Sequence, residues 1–124
     1  MKDYKLVNKI EDVKEYIGDS KIIAFDFETA PDDEYRNNTD AALDSNRAHI
    51  VGCSFSIKED TGIYIPVAHK DGTNINYIDF LNFLIEFLTN NSIIKIPNVI
   101  KIGIISLVFL IINIKYIIKK MLKK

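Results

Sequence analysis

The sequence predicts an α/β domain, a mixed β-sheet with helices packed on it, and three observations carry that prediction. An unbroken apolar run from Ile22 to Phe25 leads into Asp26, Phe27, Glu28 and Thr29, which reads as a buried strand whose end carries two carboxylates. Two runs rich in branched and aromatic residues, 49–57 and 63–68, stand on either side of a polar turn at 58–62 and read as a meander. A segment with helical apolar spacing then separates the meander from a further strand at 92–96, stopped by Pro97. A helix between strands implies a right-handed crossover, which leaves the 92–96 strand parallel to the Ile22 strand.

The remaining elements follow in order. Tyr4 to Val7 reads as a short strand, and Asn8 is placed to cap a helix over 9–17 that closes at Gly18. Ile10, Val13, Tyr16 and Ile17 recur at helical spacing, the pattern of an amphipathic packing helix. Residues 30–48 are polar and read as a surface loop with solvated acids. Pro66 implies an edge position or a strand end. His69, alone beyond that strand, reads as a surface or hydrogen-bonding residue rather than a metal ligand. Asn74 or Asn76 can cap the next helix, which runs to about Thr89 with Ile78, Leu81, Phe83, Leu84, Ile85, Phe87 and Leu88 buried against the sheet.

The chain has 124 residues, enough for one domain with a core that needs no disulfide or structural zinc. Cys53 is its single cysteine, which excludes an intrachain disulfide and a CxxC-type zinc site, and the composition fits a reducing, cytoplasmic setting. The first 17 residues alternate charged and apolar positions and lack the apolar core of a signal peptide. Overall net charge is −1, but residues 1–86 carry −8 and residues 87–124 carry +7, because no acid follows Glu86. A body at −8 does not bind nucleic acid by its own field, so a bound cation would have to reverse the local sign.

The carboxylates supply a place for such a cation. Residues i and i+2 of a strand share a face, so Asp26 and Glu28 project together. Two acids crowded beside an apolar core repel each other and lose hydration, a cost that a divalent cation offsets by coordination. The pattern predicts a Mg2+ or Mn2+ site.

The segments Phe25-Asp26-Phe27-Glu28-Thr29, then 48–56 (AHIVGCSFS), then 62–69 (GIYIPVAH), taken in order and at this spacing, resemble the DEDD (DnaQ-like) exonucleases. The similarity is greatest to the 3′-to-5′ proofreading exonuclease domain of family A, polymerase I type, DNA polymerases, and it covers residues 4–97. The resemblance implies a ribonuclease H-like fold in which three antiparallel strands precede parallel ones. It implies that Asp26 and Glu28 bind two divalent cations, Asp26 bridging both, and that Thr29 meets the 3′ end of the substrate. The implied reaction is metal-assisted hydrolysis of phosphodiesters. The implied partners are a single-stranded DNA 3′ end and a polymerase domain.

The same resemblance calls for a second motif, HNxKxD-like, and a third, Tyr- or His-xxx-Asp, each with another metal-binding acid. Asn98 and Lys101 echo the second motif as substrate-binding residues, but its histidine is missing and both acids are absent. From residue 98 the composition changes: isoleucine fills 12 of the 26 positions from 93 to 118, and the lysine-rich end follows. The expected division is therefore a partial exonuclease domain at 1–97 and an Ile/Lys-rich tail at 98–124, a tail that wrong-frame translation of A/T-rich DNA would produce. Its uncharged run, 102–114, is 13 residues long, short of the roughly 20 that span a bilayer, so the membrane is not expected to be a partner. The alternatives to an impaired exonuclease are a noncatalytic nucleic-acid-binding module and a membrane-tethered small protein.

Overall fold

The computed structural model describes residues 2–38, 40–41, 44 and 47–97. The expected tail, with Asn98, Lys101 and the 102–114 run, lies outside them. The elements run β1 (Asp3–Leu6), α1 (Ile10–Ile17), β2 (Ile22–Pro31), a 3-10 turn (Asp33–Tyr35), β3 (Ala48–Ser56), β4 (Thr61–Pro66), α2 (Tyr77–Thr89) and β5 (Ile94–Pro97). The five strands form one sheet in the order β1-β4-β3-β2-β5. The sheet is mixed, as expected: β3 pairs antiparallel with β4, and β5 pairs parallel with β2, Ile22 opposite Ile94 and Phe25 opposite Pro97. The short strand β1 adds in parallel to β4 at the other edge.

By contacts the chain falls into two units, one of residues 1–28 and 50–98, the other containing 29–49. In the first, the odd positions of β2 and the facing positions of β3 and β4 turn toward the helices. Ile23, Phe25, Cys53, Phe55, Ile63 and Ile65 are buried there, together with Val13 of α1 and Phe80, Leu84 and Phe87 of α2. The aromatic rings interlock edge to face, with Phe55 5.1 Å from Phe87 and 5.7 Å from Phe83 between ring centroids, and Phe25 5.4 Å from Phe87. Such geometry adds to the area each ring buries.

Local chemistry sets the element ends, with some corrections to the sequence-based expectations. Asn76 caps α2 by accepting from the Asp79 N–H at 3.0 Å, while Asn74 does another job described below. At α1 the N-cap is Lys9 rather than Asn8, and no side chain satisfies its free N–H groups. Gly18 closes α1 with φ at +54°, a conformation costly for any residue with a Cβ. Pro66 ends β4, which is an interior strand, so its missing N–H falls at a strand end and not along an edge. The Ile22 strand is longer than expected and runs to Pro31, which puts Asp26 and Glu28 at mid-strand. Nor is that strand buried on both faces: Ile22 is 54% exposed, because alternation turns it away from the helices.

The second unit is less bare of structure than a polar loop. The Asp32 N–H donates to the Arg47 carbonyl at 2.7 Å, and the Arg47 guanidinium pairs with Asp44 at 2.7 Å. His49 Nδ1 lies 2.9 Å from Asp32 Oδ1. Asp33, Glu34 and Asp40 are exposed, as expected, and Asp32 and Asp44, with side chains 40% and 33% exposed, are in addition partnered because the two arms of the segment fold back on each other.

Candidate metal centre

The open face of the sheet carries the polar groups. Asp26 and Glu28 sit on one pleat of β2, both exposed to solvent, as strand alternation predicts. β4 contributes Tyr64, whose phenol donates to Glu28 Oε2 at 2.6 Å. The strand order places β3 between these two strands, so the Tyr64 side chain must cross it. It does so over Gly52: a Cβ built there would stand 1.9 Å from the Tyr64 oxygen and 2.4 Å from the ring carbon bearing it. Glycine is required at this position for close approach.

Beyond β4 the chain turns and brings His69 back to Tyr64. His69 Nε2 is 2.5 Å from the Tyr64 oxygen, and the two rings meet edge to face with centroids 5.6 Å apart. Asn74 holds the His69 backbone at both polar groups, accepting from its N–H at 2.9 Å and donating to its carbonyl at 3.0 Å. The Ile75 N–H donates to the Pro66 carbonyl at 2.8 Å and closes the loop. The reading of His69 as a hydrogen-bonding residue agrees with this geometry.

Electrostatics follow from the arrangement. Burial, helped by the hydrogen bond to the Glu28 carboxylate and by its charge, pushes the Tyr64 phenol far above its ordinary value, so it remains a donor throughout the neutral range. Burial, and secondarily the negative charge of Asp26, push the Cys53 thiol well above its ordinary value. A thiol in that state is no nucleophile.

Of the residues singled out in the sequence, the structure brings Asp26 and Glu28 onto one face. Thr29 continues β2 half-buried and opens the second unit. Asn98 and Lys101 lie outside the described residues. No third histidine, cysteine or acid joins the two carboxylates into a larger ligand cluster among the described residues. The donor set nevertheless fits a hard cation, since Mg2+ is commonly held by one or two carboxylates with water and substrate phosphate completing the shell. Tyr64 and Gly52 were not singled out by sequence reasoning. The available signal was a glycine inside an otherwise branched and aromatic strand, which marks a close approach.

No family model matches this sequence, and no curated protein does. Among solved structures the fold is similar to that of NrnC from Brucella melitensis, an RNase H-like DEDD-type nuclease, with a TM-score of 0.50 at 20% identity. The match covers 89% of this chain and 43% of NrnC, so this chain spans less than half the length of that protein. The fold is therefore ribonuclease H-like, a mixed five-stranded sheet with two helices. No helix among the described residues is long and apolar enough to cross a membrane.

Proposed function

We propose that this chain carries the first metal-binding motif of a 3′-to-5′ exonuclease domain that hydrolyses nucleic-acid phosphodiesters, and that its metal site is incomplete in the chain by itself. The observation that carries the reading is the pairing of Asp26 and Glu28 on the open face of a ribonuclease H-like sheet, with Tyr64 bonded to Glu28. The finer assignment, a polymerase I type proofreading domain acting on a single-stranded DNA 3′ end beside a polymerase domain, is supported by the 25–29, 48–56 and 62–69 segments in combination. The lone cysteine supports a cytoplasmic setting.

Asp26 and Glu28 would hold Mg2+ or Mn2+, and the bound cation would supply hydroxide at neutral pH and charge stabilisation at the phosphate. The residues of the chain do the rest. The two carboxylates would orient the cation on an accessible face, where the Tyr64 phenol donates to Glu28 Oε2. Thr29 is the proposed contact to the terminal nucleotide, with Asn98 and Lys101 as further substrate contacts. The two further acids implied by the resemblance have no counterpart after Glu86, so turnover by this chain alone is expected to be negligible.

The test pairs binding with chemistry. Mn2+ titration followed by electron paramagnetic resonance is expected to show binding that D26N and E28Q each abolish. A 5′-labelled single-stranded DNA incubated with the same protein and Mg2+ or Mn2+ is expected to remain intact at its 3′ end. Binding that ignores both substitutions contradicts the metal site, whereas trimming that D26N removes contradicts only the inactivity. A second reading, noncatalytic nucleic-acid binding, is favoured by the +7 charge of residues 87–124. It requires affinity for single strands that falls steeply with salt and survives D26N.

A further inference from the structure

The chain of contacts from Asn74 through His69 and Tyr64 to Glu28 has a fixed direction. An ionised carboxylate only accepts hydrogen bonds, so the single phenolic proton of Tyr64 goes to Glu28 Oε2. The Tyr64 oxygen then has only lone pairs to offer His69, and Nε2, 2.5 Å away, must be the donor. His69 is thereby held as the Nε2–H form. Its backbone is pinned by both arms of the Asn74 amide, at 2.9 and 3.0 Å. The Tyr64 ring has its own seat, because Gly52 leaves the space beneath its oxygen.

We propose that Tyr64 and His69 are positioning residues for Glu28: they fix its carboxylate by Oε2, so that Oε1 is presented to a divalent cation beside Asp26. The proposal rests on the metal-site reading above and deepens it. A glutamate on an exposed strand face has three rotatable bonds and would otherwise lose rotamer freedom on each binding event. Hydrogen bonds to the far oxygen of a ligand fix its orientation before the cation arrives, and loss of such outer partners commonly costs about 10–100-fold in metal affinity. The geometry explains why a tyrosine reaches across a strand to an acid 36 positions earlier in sequence, and why the strand between them has a glycine there.

The experiment uses the full chain and Mn2+ as the probe, with wild type, Y64F, H69A, H69Q, G52A and E28Q compared in one titration series. Y64F is expected to weaken Mn2+ by about 10–100-fold while E28Q abolishes site binding. H69A should weaken it less, and H69Q should recover part of that loss, because the glutamine amide can supply an N–H toward Tyr64. G52A should weaken Mn2+ without removing any polar group, since the new methyl displaces the Tyr64 ring. A second readout needs no metal: a long-range proton–nitrogen spectrum should show His69 as the Nε2–H form in wild type and as a mixture in Y64F. If Y64F does not fold by circular dichroism, H69A and the wild-type spectrum decide the matter, because His69 lies beyond the strand. Mn2+ affinity that E28Q destroys but Y64F and H69A leave unchanged overturns the positioning role and leaves the metal site standing. Absence of Mn2+ binding in wild type overturns the metal site and this role with it, and an Nδ1–H form of His69 overturns the direction of the chain.

Discussion

The two faces of this sheet are built from the same strands and do opposite work. On the face toward α1 and α2, Ile23, Phe25, Phe55, Ile63 and Ile65 are buried, and the Phe55 ring interlocks edge to face with Phe83 and Phe87. One residue further along the same strands, the other face carries Asp26, Glu28 and Tyr64. Ile22, Ile94 and Ile96 of that face are 54%, 60% and 50% exposed. Strand alternation lets a ten-residue strand such as β2 hold the core with odd positions and present chemistry with even ones. Stability and the proposed metal binding are therefore expected to be separable by substitution, and the separation can be tested.

The largest expected effect is on the helix-packed face. F87A removes the ring that touches Phe25, Phe55 and Phe83 and is expected to cost about 3–5 kcal/mol in denaturant unfolding. Equal stability of F87A and wild type would contradict the core assignment. G52A crosses the divide, since its methyl meets Tyr64 on the open face, and overpacking there is expected to cost about 1–3 kcal/mol. N76A removes the α2 cap and should cost about 1 kcal/mol, read in the same unfolding experiment.

A smaller difference appears at alkaline pH. The Tyr64 phenol has a higher pKa folded than unfolded, so the unfolded chain releases that proton first as pH rises past the ordinary tyrosine value near ~10. Its contribution is fully present below that pH and is lost as pH climbs toward the raised folded value. Wild type should therefore lose stability across that window more steeply than Y64F, in thermal melts run at stepped pH. Smallest of all is I22S on the open face, expected to change stability by no more than about 0.5 kcal/mol. A large loss there would mean that the open face is covered, and the contrast between the faces would fail.

Much of this was legible from residues alone. The alternating branched and aromatic runs gave β3 and β4, and the helix between strands gave the parallel pairing of β5 with β2. The shared face of Asp26 and Glu28 needed only the two-residue period of a strand. What was not legible depends on partners distant in sequence. Tyr64 reads as one aromatic in a strand until the register sets it across Gly52 from Glu28, and Asn74 reads as a helix cap until the loop folds back on His69. The pairing of Asp32 with His49 and of Asp44 with Arg47 was hidden for the same reason, because composition reports polarity and not which polar groups meet. The α1 cap was misplaced by one position, as element ends depend on backbone angles that side-chain preference only biases.

The central claim, that a divalent cation is held on the open face by Asp26 and Glu28, is tested most directly by paramagnetic broadening of backbone amide signals with substoichiometric Mn2+. The account predicts broadening confined to the neighbourhood of Asp26, Glu28, Gly52 and Tyr64, absent from the helix-facing side of α1 and α2, and lost in E28Q. Broadening centred on Asp79 and Glu86 of α2, or spread evenly over the surface acids, would contradict it.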